Sequence, residues 1–168
     1  GRTFGHVVCS KFPKKKIAVG YDGRLTSPSL HHALCKGLLD SGSNVFSIGM
    51  CTTPMTYFAH YHLQTDAAVM VTGSHNPPEY NGFKMVLDNH SFFADAIQNL
   101  QLLTELKNIS QGTGQLINID ITKEYVNRNL QNIHLEKKMK IAWDIGNGTV
   151  GAVIDQFIQQ LSKSEHIV

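Results

Sequence analysis

The 168 residues, 42% hydrophobic and 17% charged, have the make-up of a soluble globular protein with enough length for one sizeable core, and no apolar run approaches the ~20 residues of a membrane span. With 15 Lys and Arg against 13 Asp and Glu, the formal charge of +2 is too balanced to argue for a nucleic acid or a membrane surface as main partner and leaves a small anionic ligand open. Three cysteines, Cys9, Cys35 and Cys51, are odd in number and lack a CxxC pair, which suits buried thiols in a reducing, cytoplasmic compartment better than a disulfide framework.

The start, Gly1-Arg2-Thr3-Phe4-Gly5, has no signal-peptide pattern, and both ends are expected to be cut from something longer. Lys16–Gly20 is the first clear strand. Tyr21-Asp22-Gly23-Arg24 follows, and then Ser27 as N-cap with Pro28 at the first helical position. Leu30, Ala33, Leu34 and Leu38 recur at helical spacing up to Gly42, which stands where a left-handed C-cap residue is wanted. Asn44–Ile48 alternates as a short strand ended by Gly49, and Thr53-Pro54 opens a helix to about Leu63. Ala67–Val71 is an uninterrupted apolar run, the mark of a parallel strand covered on both faces. It runs straight into a polar loop, Thr72 to Gly82, after which Phe83–Leu87 reads as a returning strand.

Ala94–Lys107 has Ile97, Leu100, Leu103 and Leu106 on one helical face, and the polar, glycine-rich stretch Asn108–Gln115 is expected to be a flexible connection. A helix from Thr122 to about Ile133, a strand over Ile141–Ile145, a glycine loop and a helix from about Val150 to Leu161 complete the reading. The alternation predicts an α/β fold, a three-layer α/β/α domain with a mixed sheet, with a boundary near His134 and residues 135–168 opening a second similar domain.

Ligand sites in such sheets lie beyond the carboxyl ends of the strands, and Ser74 stands two residues past one. Gly73 removes bulk before it, and Asn76, Pro77, Pro78 and Asn81-Gly82 make a stiff turn able to hold a hydroxyl in place. The loop returns Lys84 as a cation across the turn. Taken singly, these are ordinary loop residues, and Arg24 can equally pair with Asp22. A Ser-His nucleophile pair is disfavoured, because adjacent side chains point apart and no Gly-x-Ser-x-Gly elbow is present.

As a continuous string, Thr72-Gly73-Ser74-His75-Asn76-Pro77-Pro78-Glu79-Tyr80-Asn81-Gly82-Phe83-Lys84 resembles the phosphoserine loop of the α-D-phosphohexomutase superfamily, most closely its phosphomannomutase/phosphoglucomutase branch. Gly20-Tyr21-Asp22-Gly23-Arg24 resembles that family's Gly-x-Asp-x-Arg segment, and Trp143-Asp144-Ile145-Gly146-Asn147-Gly148 the opening of its second domain. The resemblance implies that Ser74 is the phosphorylated residue and that His75, Lys84 and Arg24 belong to the active-site region. It implies phosphoryl exchange between the 1- and 6-positions of a hexose through a bisphosphorylated sugar, which also acts as activator. A phosphoserine carries about −1.5 to −2 charges, so cations are needed around it. The family's Mg2+ would touch Ser74 only through its phosphate, with its other ligands outside this chain. The remaining domains of the same protein would complete the site, and this portion alone is expected to be inactive. The amino-terminal Tyr-Asp-x-Arg-Gly segment of the family is absent from these residues.

An amino-sugar phosphate mutase is the nearest alternative, although its loop differs after the Asn-Pro. A non-catalytic sugar-phosphate or nucleotide-binding module is the alternative from another class. Gly146-Asn147-Gly148-Thr149-Val150-Gly151 fits a dinucleotide fingerprint, but a tight strand-to-helix turn explains those glycines without a ligand. Neither His31 with His32 nor His60 with His62 has the spacing that puts two metal ligands on one helix face.

Overall fold

The computed structural model describes residues 1–105, 109–161 and 163–168; Leu106 and Lys107 of the expected helix and Asn108 of the expected connection lie outside the described residues. In chain order the elements are α1 (Arg2–Lys11), β1 (Lys16–Tyr21), α2 (Ser27–Asp40), β2 (Asn44–Met50), α3 (Thr53–His62), β3 (Ala67–Val71), β4 (Phe83–Leu87), β5 (His90–Phe92), α4 (Asp95–Glu105), β6 (Leu116–Asn118), α5 (Thr122–Leu130), β7 (Lys140–Ala142), α6 (Gly151–Gln160) and β8 (Glu165–Ile167).

Residues 1–119 form one unit around a six-stranded sheet of order β5-β4-β3-β1-β2-β6. β1 pairs in parallel with both β2 and β3, and β6 in parallel with β2, whereas β4 runs antiparallel to β3 and to β5. Side-chain alternation then builds the layers. Ile17, Val19, Ala67, Val69 and Val71 pack with Phe4 and Val8 of α1 and Leu34 and Leu38 of α2. The in-between positions face α3, where the Thr56 hydroxyl donates to Met70 Sδ at 3.2 Å and a Cβ on Gly20 would come within 2.8 Å of Thr56 Oγ1. Because α2 and α3 lie on opposite faces, the sheet reverses its winding between β1 and β3, and the carboxyl ends of those two strands bound the crevice where such folds place ligands.

Five elements depart from the sequence reading, among them β7, which ends at Ala142 and not at the expected Ile145. α1 lacks an acidic first turn and a side-chain N-cap, so its helical signal is weak, yet it is fixed by close contact with the end of α2: a Cβ on Gly5 would lie 2.0 Å from Ser41 Oγ. β5 and β6 have three residues each, too few for alternation to be read. β2 continues through Gly49, which takes φ +73° beside a register shift and bends the strand instead of ending it. Gly42 adopts the left-handed conformation expected of it, with φ +92°.

Residues 120–168 form a second unit, in which β7 and β8 pair in parallel around α6. The ring of Tyr125 in α5 meets Phe157 of α6 edge-on at 6.4 Å, so α5 packs within this unit. No described helix is long and apolar enough to cross a membrane.

Candidate functional site

Since β1 and β3 are parallel neighbours, the loops leaving them emerge at the same edge of the sheet, which brings Asp22 and Arg24 to the Thr72–Gly82 loop. Backbone bonds close the neck of both loops: Asp22 N–H donates to Val71 O, and Thr72 N–H to Gly82 O, each at 2.9 Å. Within the loop, Asn76 N–H bonds Gly73 O at 3.0 Å and Tyr80 N–H bonds Pro77 O at 3.1 Å, forming two successive turns.

Ser74 is exposed and adopts φ +55°, a left-handed conformation that costs a non-glycine residue about 1 kcal/mol. Its N–H donates to Thr72 Oγ1 at 2.8 Å, which fixes the peptide preceding the side chain. Lys84 sits opposite Met70 on the antiparallel strand β4, and its Nζ donates to Ser74 Oγ at 3.2 Å. A hydroxyl with an ammonium on its oxygen is suited to carrying an anionic group, because the cation stabilises charge on that oxygen when a bond to it forms or breaks. His75 is exposed and its side chain makes no hydrogen bond among the described residues. Arg24 lies within the loop and bonds the carbonyls of Ser74, Asn76, Pro77 and Tyr80.

Asp22 supports Arg24. Partial burial works to raise its carboxyl, but hydrogen bonds from Ser27 and Thr72 and from the backbone of Arg24 and Gly73 outweigh that and hold it below the ordinary value of 3.8. Ser27 therefore does not cap α2 as expected. Its hydroxyl donates to Asp22 Oδ1, and Thr26 occupies the cap position without a side-chain bond to the helix backbone. Asn81, legible in the sequence only as a turn residue, reaches Thr26 and Ser27 with its amide.

These residues do not by themselves fit a divalent cation. Both Asp22 oxygens accept protein donors, the Lys84 ammonium lies 3.2 Å from Ser74 Oγ, and no three ligating side chains converge among the described residues. The histidine pairs diverge: His31 Nε2 contacts Ser47 Oγ at 3.1 Å, and His62 stacks on Phe58 at 5.1 Å while His60 pairs with Thr65. In the second unit the glycine loop is a turn closed by its own residues, with Gly146 N–H on Asp144 Oδ1 at 3.0 Å and Gly148 N–H on Ile145 O at 3.2 Å.

Residues 1–112 match the family model described as phosphoglucomutase/phosphomannomutase, alpha/beta/alpha domain I. A phosphomannomutase/phosphoglucomutase of Pseudomonas aeruginosa is 40% identical over 148 residues, covering 88% of this chain and 32% of that protein. A phosphoglucomutase of Neisseria meningitidis serogroup A is 42% identical over 164 residues, covering 95% of this chain and 36% of that protein. Among solved structures, a phosphoglucomutase/phosphomannomutase family protein of Burkholderia thailandensis is similar over 99% of this chain and 38% of its own, with TM-score 0.88 and 35% identity. A Thermus thermophilus structure at 20% identity and TM-score 0.77 shares the fold. The chain thus spans about a third of the length of the curated relatives it matches.

Proposed function

The chain belongs to the phosphoglucomutase/phosphomannomutase family through its alpha/beta/alpha domain I, and from this premise we propose that it is the phosphoserine-bearing part of a mutase that interconverts hexose 1-phosphate and 6-phosphate. The observation that carries this reading is the Lys84 Nζ bond to Ser74 Oγ at the crevice between β1 and β3. Phosphoserine 74 gives its phosphoryl group to a sugar hydroxyl: the bond from phosphorus to Oγ breaks, a bond to the sugar oxygen forms, and the hydroxyl proton is released. The departing Oγ takes a proton, which the Lys84 ammonium is placed to give. The bisphosphorylated hexose then turns over and returns its other phosphoryl group to Ser74 by the reverse step, so protons balance over the cycle. His75, exposed and next to Ser74 in the chain, is suited to hydrogen bonding or proton exchange with a phosphate.

In this reading the first domain runs to about His134 in the sequence and residues 135–168 open the second, with α5 at the junction packing into the compact unit 120–168. The family's magnesium ion would meet one oxygen of the Ser74 phosphate and take its remaining ligands from outside these residues. Three free thiols suit a reducing, cytoplasmic setting.

The test is intact-protein mass after exposure of the full-length protein to a hexose bisphosphate. A phosphate-sized increment mapping to Ser74 is expected. The Ser74→Ala variant is expected to lack it at this position and to lose turnover by more than about tenfold with its fold intact, because an exposed loop side chain contributes little to stability. An unphosphorylated wild type, or an alanine variant with near-normal turnover free of contaminating mutase, overturns the reading.

A further inference from the structure

We propose that Asp22 and Asn81 are positioning residues which hold Ser74 for reaction by way of Arg24, and that Arg24 works as an internal tie for the loop with no donor left for a substrate. The inference rests on Ser74 being the phosphoryl carrier.

A guanidinium has five N–H groups in a rigid fork. In Arg24 each group of donors faces protein acceptors: Nε donates to Asp22 Oδ2 at 3.2 Å, Nη1 to Pro77 O at 2.6 Å and Tyr80 O at 2.9 Å, and Nη2 to Ser74 O at 3.0 Å and Asn76 O at 2.6 Å. Five bonds engage five donors. The side chain is only 14% exposed, so an incoming phosphate meets a group already enclosed by its own loop. Four carbonyl oxygens aimed at one point repel one another unless a cation sits between them, so this loop shape depends on Arg24 remaining there. Ser74, which supplies one of those four carbonyls, keeps its left-handed φ only where its surroundings over-determine it.

Asp22 fixes the fork from behind. Its Oδ2 takes Nε, while its Oδ1 accepts the Arg24 backbone N–H at 3.1 Å and the Ser27 hydroxyl. Asn81 ties the other end of the loop to the same turn: Nδ2 donates to Thr26 Oγ1 at 2.9 Å and Ser27 Oγ at 2.8 Å, while Oδ1 accepts Gly82 N–H at 2.8 Å. Entry and exit of the serine loop are therefore bound to the start of α2 as one unit. None of these three side chains needs to touch the sugar.

This arrangement separates positioning from simple charge. If Arg24 acted by its positive field, Arg24→Lys would keep most of the activity, and Asp22→Asn, which removes a negative charge beside an anionic site, would be harmless or helpful. Positioning gives the opposite signs. Lysine has three donors and no planar fork, and the amide introduced by Asp22→Asn cannot accept on both sides as the carboxylate does.

The experiment uses the full-length protein, with steady-state kinetics on a hexose 1-phosphate, intact mass, and amide hydrogen exchange. Asp22→Asn, Asn81→Ala and Arg24→Lys are each expected to lower kcat by about tenfold to a hundredfold while KM changes by less than about twofold, since misplacing a reacting atom slows the chemical step. Faster exchange is expected over residues 73–82 and unchanged exchange in β1 and β3. If Asp22→Asn does not fold, Asn81→Ala, whose side chain is only half-buried, carries the same test. A folded Asp22→Asn or Asn81→Ala variant with kcat within about twofold of wild type, or Arg24→Lys retaining more than about half, overturns the proposal. The wild-type mass keeps the two readings apart: no phosphate on Ser74 removes the phosphoserine reading itself, whereas a phosphorylated wild type with active variants removes only the positioning roles.

Discussion

His60 is 3% exposed; its Nδ1 pairs with Thr65 Oγ1 at 2.9 Å, and Nε2 has no hydrogen-bond partner among the described residues. Burial lowers its pKa from 6.5, outweighing Asn89, the Ala67 backbone and the Asp66 and Asp88 carboxylates, which act in the opposite direction. A histidine kept neutral by folding leaves the unfolded chain to bind the proton first, so stability is full above about pH 6.5 and falls as pH drops from there towards the lower folded value. Urea unfolding at about pH 7.5 and about pH 5.5 is expected to show a larger loss for wild type than for His60→Gln, which stays neutral at both. Equal losses would mean that the ring is solvated on protonation. Cys35 behaves differently: burial pushes its thiol up to about 11, so it remains protonated and unreactive at neutral pH.

Helix α2 joins the core to the site. Its inner face puts Leu34 and Leu38 against β1 and β3, and its first turn supplies Ser27 to Asp22. Leu38 has no exposed surface, so Leu38→Ala removes buried methyl groups and leaves a cavity that the surrounding sheet and α1 fill only in part. A loss of about 2–5 kcal/mol is expected in urea unfolding. Leu25, just before the helix and 99% exposed, is the control, and Leu25→Ala is expected to stay within about 0.5 kcal/mol of wild type. A small effect at Leu38 would show that α2 is not fixed by its packing, and the link between core and serine loop would fail with it.

At the scale of the molecule, the chain covers 32% to 36% of the two relatives described above. The serine loop sets the Ser74 hydroxyl beside the Lys84 ammonium, and among the described residues no cluster of acidic or histidine ligands joins them. A single phosphate on an exposed loop competes poorly with water for an ion that dehydrates reluctantly. The 168 residues alone, phosphorylated on Ser74, are therefore expected to bind magnesium only weakly and to show no mutase turnover with a bisphosphate activator. Magnesium titration followed by calorimetry, alongside that assay, checks both. Tight one-to-one binding, or turnover comparable to an intact mutase, would mean that these residues hold a complete site.

Much of this was legible in the sequence because its signals are local. Ala67–Val71 could be read as a strand covered on both faces from its unbroken apolar run, and the loop after it could be singled out because Gly, Pro and Asn-Gly restrict backbone freedom wherever they stand. The mixed α/β sheet follows from the order of such elements, and the continuous string from Thr72 to Lys84 identified the family that the match over residues 1–112 shows. What the sequence could not contain is the meeting of residues far apart along the chain. Ser27 carried every local mark of an N-cap, but a carboxylate five residues earlier is the stronger acceptor once the turn folds, and its hydroxyl goes there. Asn81 was a turn residue until the parallel pairing of β1 with β3 set it beside Thr26 and Ser27. α1 has little helical signal of its own and is held where Gly5 lets it approach Ser41. Local propensity decided the elements; the closing of Arg24 on four carbonyls fifty and more residues away was decided only by tertiary structure, because hydrogen-bond partners are chosen among groups that the fold has already brought within reach.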